Sequence, residues 1–255
     1  MIRGLYTAAS GMLLNEKRST TIDQNLENIH TPGYRQAGER VLSFPRLLVN
    51  RLAKEQNTGQ PEVAQLGIMG TGVYADRMLY KQTMGNLRET GNRTDLALTG
   101  EGYFAIETVQ GERYTRNGHF QLDPSGFLRT AGGNLVLGLN GPIGPLPEDF
   151  KVEADGTIRD KQTNQILDRL MIVDIPAESL QRDGLTTLYR TDAQAVLLPA
   201  ENIQIEQGFV EESNVDLNEQ MVKMLEVVRA YSANQKVIQT NDSLLQKAVN
   251  EIAKV

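Results

Sequence analysis

Residues 213–252 read SNVDLNEQMVKMLEVVRAYSANQKVIQTNDSLLQKAVNEI, and this stretch decides the architecture. Leu217, Met221, Met224, Val228, Tyr231, Gln235, Ile238, Asp242, Leu245, Val249 and Ile252 follow one another at alternating steps of four and three, and nine of these eleven positions are apolar. Such a column is a heptad seam about five heptads long. It predicts a long helix that needs a partner face, because an exposed apolar seam gains nothing in water. Residues 214–252 would extend about 58 Å at the helical rise of about 1.5 Å per residue. The start is predicted at Ser213 or Asn214. Ser213 is a good N-cap, and Asp216 three residues on imitates the reciprocal capping box. Glu211 and Glu212 set negative charge at the positive end of the helix dipole.

A second column lies one residue beside the first: Val227, Ala230, Asn234, Val237, Asn241, Leu244 and Ala248. Together the two make a face too wide for a two-stranded seam, so the helix calls for more than one neighbour. One candidate is an N-terminal helix over residues 3–29. There Ile2, Leu5, Tyr6, Ala9, Met12 and Leu13 form an apolar stripe that Ile22, Leu26 and Ile29 resume. Thr31-Pro32-Gly33 ends it, since proline disfavours helix in the residue before it. Gly4 and Gly11 lower its helix propensity and predict frayed first turns. The two ends carry opposite charge: residues 1–60 hold eight Lys/Arg and five Asp/Glu, residues 201–255 five and nine. The remaining neighbours are either other copies of the chain or the chain's own β-region. Asn25 and Asn28, three apart, are placed to bond orphan helix carbonyls or a partner helix. Asn234, Gln235, Asn241 and Asp242 either face solvent or set register from within the seams.

Between the helices the chain reads as β-structure. Proline is absent from residues 1–31 and 200–255, and sixteen of the 23 glycines fall between Gly59 and Gly144, so turns belong in the middle. DLALT (95–99), YFAIETV (103–109), RYTR (113–116), HFQL (119–122), FLRT (127–130), LVLGL (135–139) and RLMIVDI (169–175) are strand-like. Gln110-Gly111, Asp123-Pro124-Ser125-Gly126 and Asp155-Gly156 separate strands with turn chemistry. The fold class is therefore mainly β with long terminal α-helices. The helices are expected to pair as a coiled-coil-like element around a central irregular β-domain, sandwich-like or barrel-like. The division is 1–34 with 214–255 as a helical assembly domain, 35–71 as a variable linker, and 72–213 as the β-rich domain. Within the linker, FPRLLVNRLAKE reads as a short helix.

Composition excludes several functions. The chain has 255 residues, net charge −6 and no cysteine, which removes disulfides and thiolate chemistry and disfavours nucleic-acid binding. No apolar run is long enough to span a membrane. MIRGLYTAASGMLL lacks a clean apolar core and a cleavage-like break, so no removable signal peptide is read. His30 and His119 have no companions at metal-ligand spacing. Gly100-Glu101-Gly102-Tyr103-Phe104 lacks the elements of a phosphate loop, and no nucleophile elbow occurs. No catalytic, metal or cofactor-binding residue is nominated, and no small-molecule substrate.

Three motifs resemble one family. Gln24-Asn25-Leu26-Glu27-Asn28-Ile29-His30-Thr31-Pro32-Gly33-Tyr34-Arg35 resembles the N-terminal signature of the bacterial flagellar rod and hook proteins. Gln24 stands where that signature has Asn, and Glu27 where it has Ala. Ser213-Asn214-Val215-Asp216-Leu217, then Met221, Met224, Val228, Arg229, Tyr231, Asn234, Ile238 and Leu245, follow its C-terminal signature and seam. Tyr114-Thr115-Arg116-Asn117-Gly118 with Phe120, Asp123, Gly126, Leu128 and Gly132-Gly133 is similar to the middle domain of the larger rod proteins. The resemblance implies a structural subunit of the rod in the flagellar basal body, within the cell envelope. It implies export through the flagellar type III apparatus without a cleaved signal, and helical polymerisation through the terminal helices. Partners would be other copies and neighbouring rod or hook proteins. The motif residues expected to carry assembly are Asn25, Leu26, Asn28, Thr31, Gly33, Tyr34, Ser213, Asn214, Val215, Met221, Met224, Val228, Arg229, Tyr231, Asn234, Ile238 and Leu245. The alternative is a surface binding module, an adhesin with its β-domain on a helical stalk.

Overall fold

The structure is a computed structural model that describes residues 2–45, 47–54, 61–184 and 187–252. It is mainly β, with one long helix near each end. The chain divides into two compact units. The first comprises residues 1–23, 39–78 and 221–255, the second residues 24–38 and 79–220. Helix α1 (Ile2–Glu27) and helix α2 (Leu217–Ile252) each contribute to both.

In the first unit the helices are joined by strands β1 (Ala37–Ser43), β2 (Leu47–Lys54), β3 (Pro61–Met69) and β4 (Val73–Tyr80). Strand β1 pairs with β4, and β2 with β3 as an antiparallel ribbon whose register shifts between Val49 and Asn50. The short helix expected over FPRLLVNRLAKE is thus not formed: Leu47–Lys54 is extended and bonded to Pro61–Met69. A short apolar run fits either period, and here cross-strand pairing decides it. Phe44 stacks on Tyr74 with ring centroids 5.3 Å apart.

The second unit holds strands β5 (Leu87–Glu89), β6 (Leu96–Leu98), β7 (Tyr103–Thr108), β8 (Gly111–Thr115), β9 (Phe120–Leu122), β10 (Leu128–Thr130) and β11 (Leu135–Gly138). There follow β12 (Gly141–Pro142), β13 (Phe150–Val152), β14 (Thr157–Asp160), β15 (Ile166–Arg169), β16 (Ile172–Asp174) and β17 (Leu180–Arg182). Strands β18 (Leu188–Thr191), β19 (Val196–Leu197), β20 (Ile205–Gln207) and β21 (Phe209–Glu211) complete it. An open antiparallel sheet runs β17-β18-β8-β7-β11-β10-β9, with β12 on β11 and β16 between β7 and β19. Beside it lie a three-stranded sheet, β13-β14-β15, and the ribbons β20-β6 and β21-β5. No sheet among the described residues closes, so the barrel form of the expectation is not realised.

The predicted turns sit where the strands reverse. Asp123 Oδ1 accepts from the Ser125 and Phe127 amides, at 2.9 and 2.8 Å, between β9 and β10. Alternation sorts the side chains: in β13, Phe150 and Val152 are buried and Lys151 is exposed. The core gathers Leu96, Phe104, Ile106, Phe120, Leu128, Val136, Ile158 and Ile172, with Phe104 edge-on to Phe120 at 5.2 Å. This packed core is what gives the site below fixed walls.

Candidate assembly site

Two groups of residues stand out, one in each unit, and they differ in kind. In the second unit, the end of α1 and the start of α2 supply a buried polar node. Asn25 is 1% exposed. Its side-chain amide binds the Ala37 backbone in both directions: Nδ2 donates to the Ala37 carbonyl and Oδ1 accepts the Ala37 amide, each at 2.9 Å. Nδ2 also donates to Gln220 Oε1 at 3.3 Å, and Tyr34 Oη donates to Asn25 Oδ1 at 3.1 Å. One side chain thus ties α1 to the following strand, to α2 and to Tyr34. Asn28 Nδ2 satisfies the Gln24 carbonyl at the fraying end of α1, and Thr31 Oγ1 donates to Asn28 Oδ1. Leu26 is half-buried.

Gly33 follows with φ +66°, and its amide donates to the Glu211 carbonyl at 2.7 Å. A Cβ there would lie 2.3 Å from the Arg116 carbonyl carbon and the Asn117 amide, so only glycine fits. Asn214 closes the node. Its Oδ1 accepts the Gln36 amide at 2.7 Å, and Nδ2 donates to the Lys81 and Thr83 carbonyls at 2.9 and 2.7 Å. Val215 is buried beside it. Ser213 does not cap α2: Asp216 does, its Oδ1 accepting the Asn218 and Glu219 amides at 2.8 and 3.1 Å. Ser213 Oγ accepts only the Val215 amide, at 3.4 Å.

Charge is buried here as well. Arg35 and Glu211 form an ion pair at 2.9 Å with side chains 2% and 1% exposed. Glu211 Oε1 also accepts the Gly85 amide at 3.0 Å, and Arg35 donates to the Thr83 carbonyl. Glu211 is therefore an interior counter-ion and not the dipole partner expected from sequence. Arg116 lies 3.8 Å from the same carboxylate and donates to the Gly100 carbonyl at 2.5 Å. Burial, reinforced by the Arg35 charge and opposed by Glu211, pulls the Arg116 guanidinium below its ordinary pKa. Arg182 sits over Tyr34 and Tyr80 at 4.2 and 4.8 Å and donates to Tyr34 Oη at 2.8 Å and the Arg35 carbonyl at 2.7 Å. Burial raises the Tyr34 phenol and pushes Tyr103 up to about 12, so both stay neutral donors at physiological pH. Arg35, Arg182, Glu211 and Gln220 are missing from the predicted assembly residues. Arg35 closes the N-terminal motif and Glu211 and Gln220 lie close to C-terminal motif residues, whereas nothing local signals Arg182.

The first unit shows the opposite chemistry. Here α1 and α2 lie side by side on small and polar residues. A Cβ at Gly11 would meet Asn234 Nδ2 at 2.7 Å, and one at Gly4 would meet Asn241 Nδ2 at 3.6 Å. Ser19 Oγ contacts Met224 Sδ at 3.6 Å, and Ala8, Asn15, Ile22 and Val227 are buried. The helix runs through both glycines, and at Gly11 the missing side chain leaves room for Asn234. The less exposed positions of α2 alternate between the two columns: Val227, Asn234, Asn241 and Ala248 from the second, Met224 and Ile238 from the first, whereas Ala230, Val237 and Leu244 of the second column are exposed. The apolar stripe expected on α1 is turned partly outward, with Tyr6 66% and Leu13 68% exposed.

The first column of α2, the stronger one in sequence, is split: Met224, which Ser19 of α1 contacts, and Ile238 are half-buried, while Met221, Val228 and Val249 are more than half exposed. Tyr231 and Leu245 are exposed too, as are Arg229, Gln235 and Asp242. Neither group offers catalysis. His119 Nδ1 is 2.7 Å from Asp95 Oδ1, and Asp95 also accepts from Thr90 and Asn92, which makes the pair a turn fastener. Among the described residues no cluster of three metal-ligating side chains occurs, and no helix is long and apolar enough to cross a membrane.

The chain matches two family descriptions: the flagellar hook protein FlgE/F/G D1 domain over residues 97–220, and the flagellar basal body rod FlgEFG protein C-terminal region over residues 206–251. It is 31% identical to the flagellar hook-basal body complex protein FlhO of Bacillus subtilis, with 100% of each chain covered. It is 29% identical to the flagellar basal-body rod protein FlgG of the same organism, over 98% of this chain and 99% of that one. The rod protein FlgF of Mesorhizobium japonicum is also 29% identical, over 97% of each.

Proposed function

Since this chain belongs to the bacterial flagellar hook and basal-body rod family, we propose that it polymerises through its terminal helices into part of the axial rod. It is a structural protein of the flagellar basal body and not an enzyme. Polymerisation is our reading of α2. Met221, Val228 and Val249 of its strongest heptad column are more than half exposed, while Val227, Asn234 and Asn241 are turned inward and Met224 meets Ser19 of α1. An apolar seam several heptads long gains stability only when covered. The helices then act as a coiled-coil-like pair that carries its assembly face outward, and the β-rich unit forms the subunit's body. The motif residues divide accordingly. Asn25, Asn28, Thr31, Gly33, Tyr34 and Asn214 shape the subunit, and Met221, Val228, Tyr231 and Leu245 meet its neighbours.

The partners in this reading are further copies and adjoining rod or hook proteins. Export through the flagellar type III apparatus is the route, with the helices pairing after passage. Replacing the chromosomal gene with one ending at residue 220 tests it. That truncation keeps Asn214 and Gln220 in the node and removes the seam. The expected result is a soluble, exported β-unit and non-motile cells lacking this rod segment. Motile cells with intact rods would overturn the proposal.

A further inference from the structure

We propose that the groove beside α1 receives the outward stripe of α2 from a second copy, head to tail. The groove lies in the first unit and encloses about 950 Å³. Tyr6 and Leu13 from α1, Phe44 from the end of β1 and Val237 from α2 form its walls, and Ala9 and Ser10 its floor. Among the described residues its lining includes no charged side chain, which favours an apolar occupant over a nucleic acid, an acidic peptide or a lipid headgroup. Tyr6 and Leu13, one heptad apart, are two-thirds exposed although apolar. They stand as rims of a cleft that awaits a row of side chains.

The row is present in the same chain. Met221, Leu225 and Val228 lie at i, i+4 and i+7 on α2, each more than half exposed, and Tyr231, Leu245 and Val249 extend the stripe. This is the spacing by which an apolar helix face enters a groove. No charged residue interrupts Met221, Leu225 and Val228, which matches the uncharged lining. The six side chains present on the order of 600 Å² of exposed surface, the upper end of what a free monomer shows and most of the roughly 800 Å² one partner gives a stable interface. A helix cannot turn this stripe into its own chain's groove while Asn234 and Asn241 face Gly11 and Gly4. The supplier is therefore another copy. Groove and stripe are different patches of one subunit, so each contact leaves both a free groove and a free stripe, and the chain of copies need not close.

This inference rests on the self-assembly reading above and adds which surfaces meet. The absence of cysteine allows a clean test on the full chain. Copies carrying Leu13→Cys are mixed with copies carrying Val228→Cys, allowed to assemble, and oxidised mildly. A 13–228 disulfide dimer is expected at least about tenfold above either variant alone. Val109→Cys, on a fully exposed residue of the second unit, replaces Val228→Cys as the control and should give only background. Sedimentable polymer without the 13–228 product overturns the groove pairing and leaves self-assembly standing. Absence of any polymer and any product overturns both. A Leu13 cysteine that couples only to a different rod or hook protein, added in the same mixture, overturns the second copy as the occupant.

Discussion

Asn25 and Val228 come from the same two helices, yet they mark opposite kinds of surface. Around Asn25 the groups are enclosed and bonded to one another: the Ala37 backbone, Gln220 Oε1, Tyr34 Oη and, through Tyr34, Arg182, with Gln220 Nε2 and Arg182 Nε buried without a partner among the described residues. Around Val228 the side chains are apolar and open to solvent. Ordinary folding would put these the other way round. In the proposed reading, the contrast separates polar motifs that specify one subunit conformation from outward apolar positions of α2 that are left for a partner. Buried polar groups are costly unless fully paired, so they select a single geometry. Exposed apolar groups are tolerated only where a partner later covers them.

The comparison breaks first at the buried charge. Glu211→Ala leaves Arg35 unpaired in a site 2% exposed and should destabilise the second unit by about 3–5 kcal/mol in urea unfolding. A loss under about 1 kcal/mol would mean that water reaches the node. Gly33→Ala comes next. The positive φ and the backbone 2.3 Å from the new Cβ predict a loss of about 2–3 kcal/mol, read as a lowered unfolding midpoint. Asn25→Ala strands the Ala37 amide and carbonyl and should cost about 2 kcal/mol. Hydrogen exchange at the Ala37 amide should speed up in step.

A smaller effect is expected with pH. The Phe127 amide and then the Arg129 guanidinium hold the Asp123 carboxyl below its ordinary value of 3.8. A depressed folded-state pKa stabilises fully above the unfolded value, and the gain is lost as pH falls through the folded one. The urea midpoint should therefore drop as pH falls below about 4, and Asp123→Asn should flatten that slope. An unchanged slope in the variant would remove Asp123 from the account.

Much of the architecture was legible in the sequence, and the misses have physical causes. Heptad spacing located α2, and Pro32-Gly33 the end of α1. Turn chemistry at Asp123 and Asp155 marked the hairpins, because those residues bond their own backbone. The strand at Leu47–Lys54 was misread because a short apolar run satisfies either period. Which positions of α2 face inward cannot be read from apolarity, because packing is decided by fit: Asn234 is received at Gly11, where a Cβ would lie 2.7 Å from its amide nitrogen. Ser213 has the chemistry of a cap, but Asp216, expected only as its capping-box partner, takes the Asn218 and Glu219 amides. At the site, Asn25, Tyr34 and Asn214 were flagged by motif, but their partners Arg182, Gln220 and Glu211 lie far away in sequence. Long-range hydrogen bonds leave no local signature.

The smallest effect on stability should accompany the largest effect on assembly, and this pairing tests the central claim most directly. In Val228→Ser, a surface change, subunit unfolding should shift by no more than about 0.5 kcal/mol. Sedimentation of the same protein should show that polymer is lost at concentrations where the unsubstituted chain assembles. Normal polymer from Val228→Ser, or a subunit that no longer folds, would contradict the division between a polar node that builds the subunit and an apolar stripe that joins it to others.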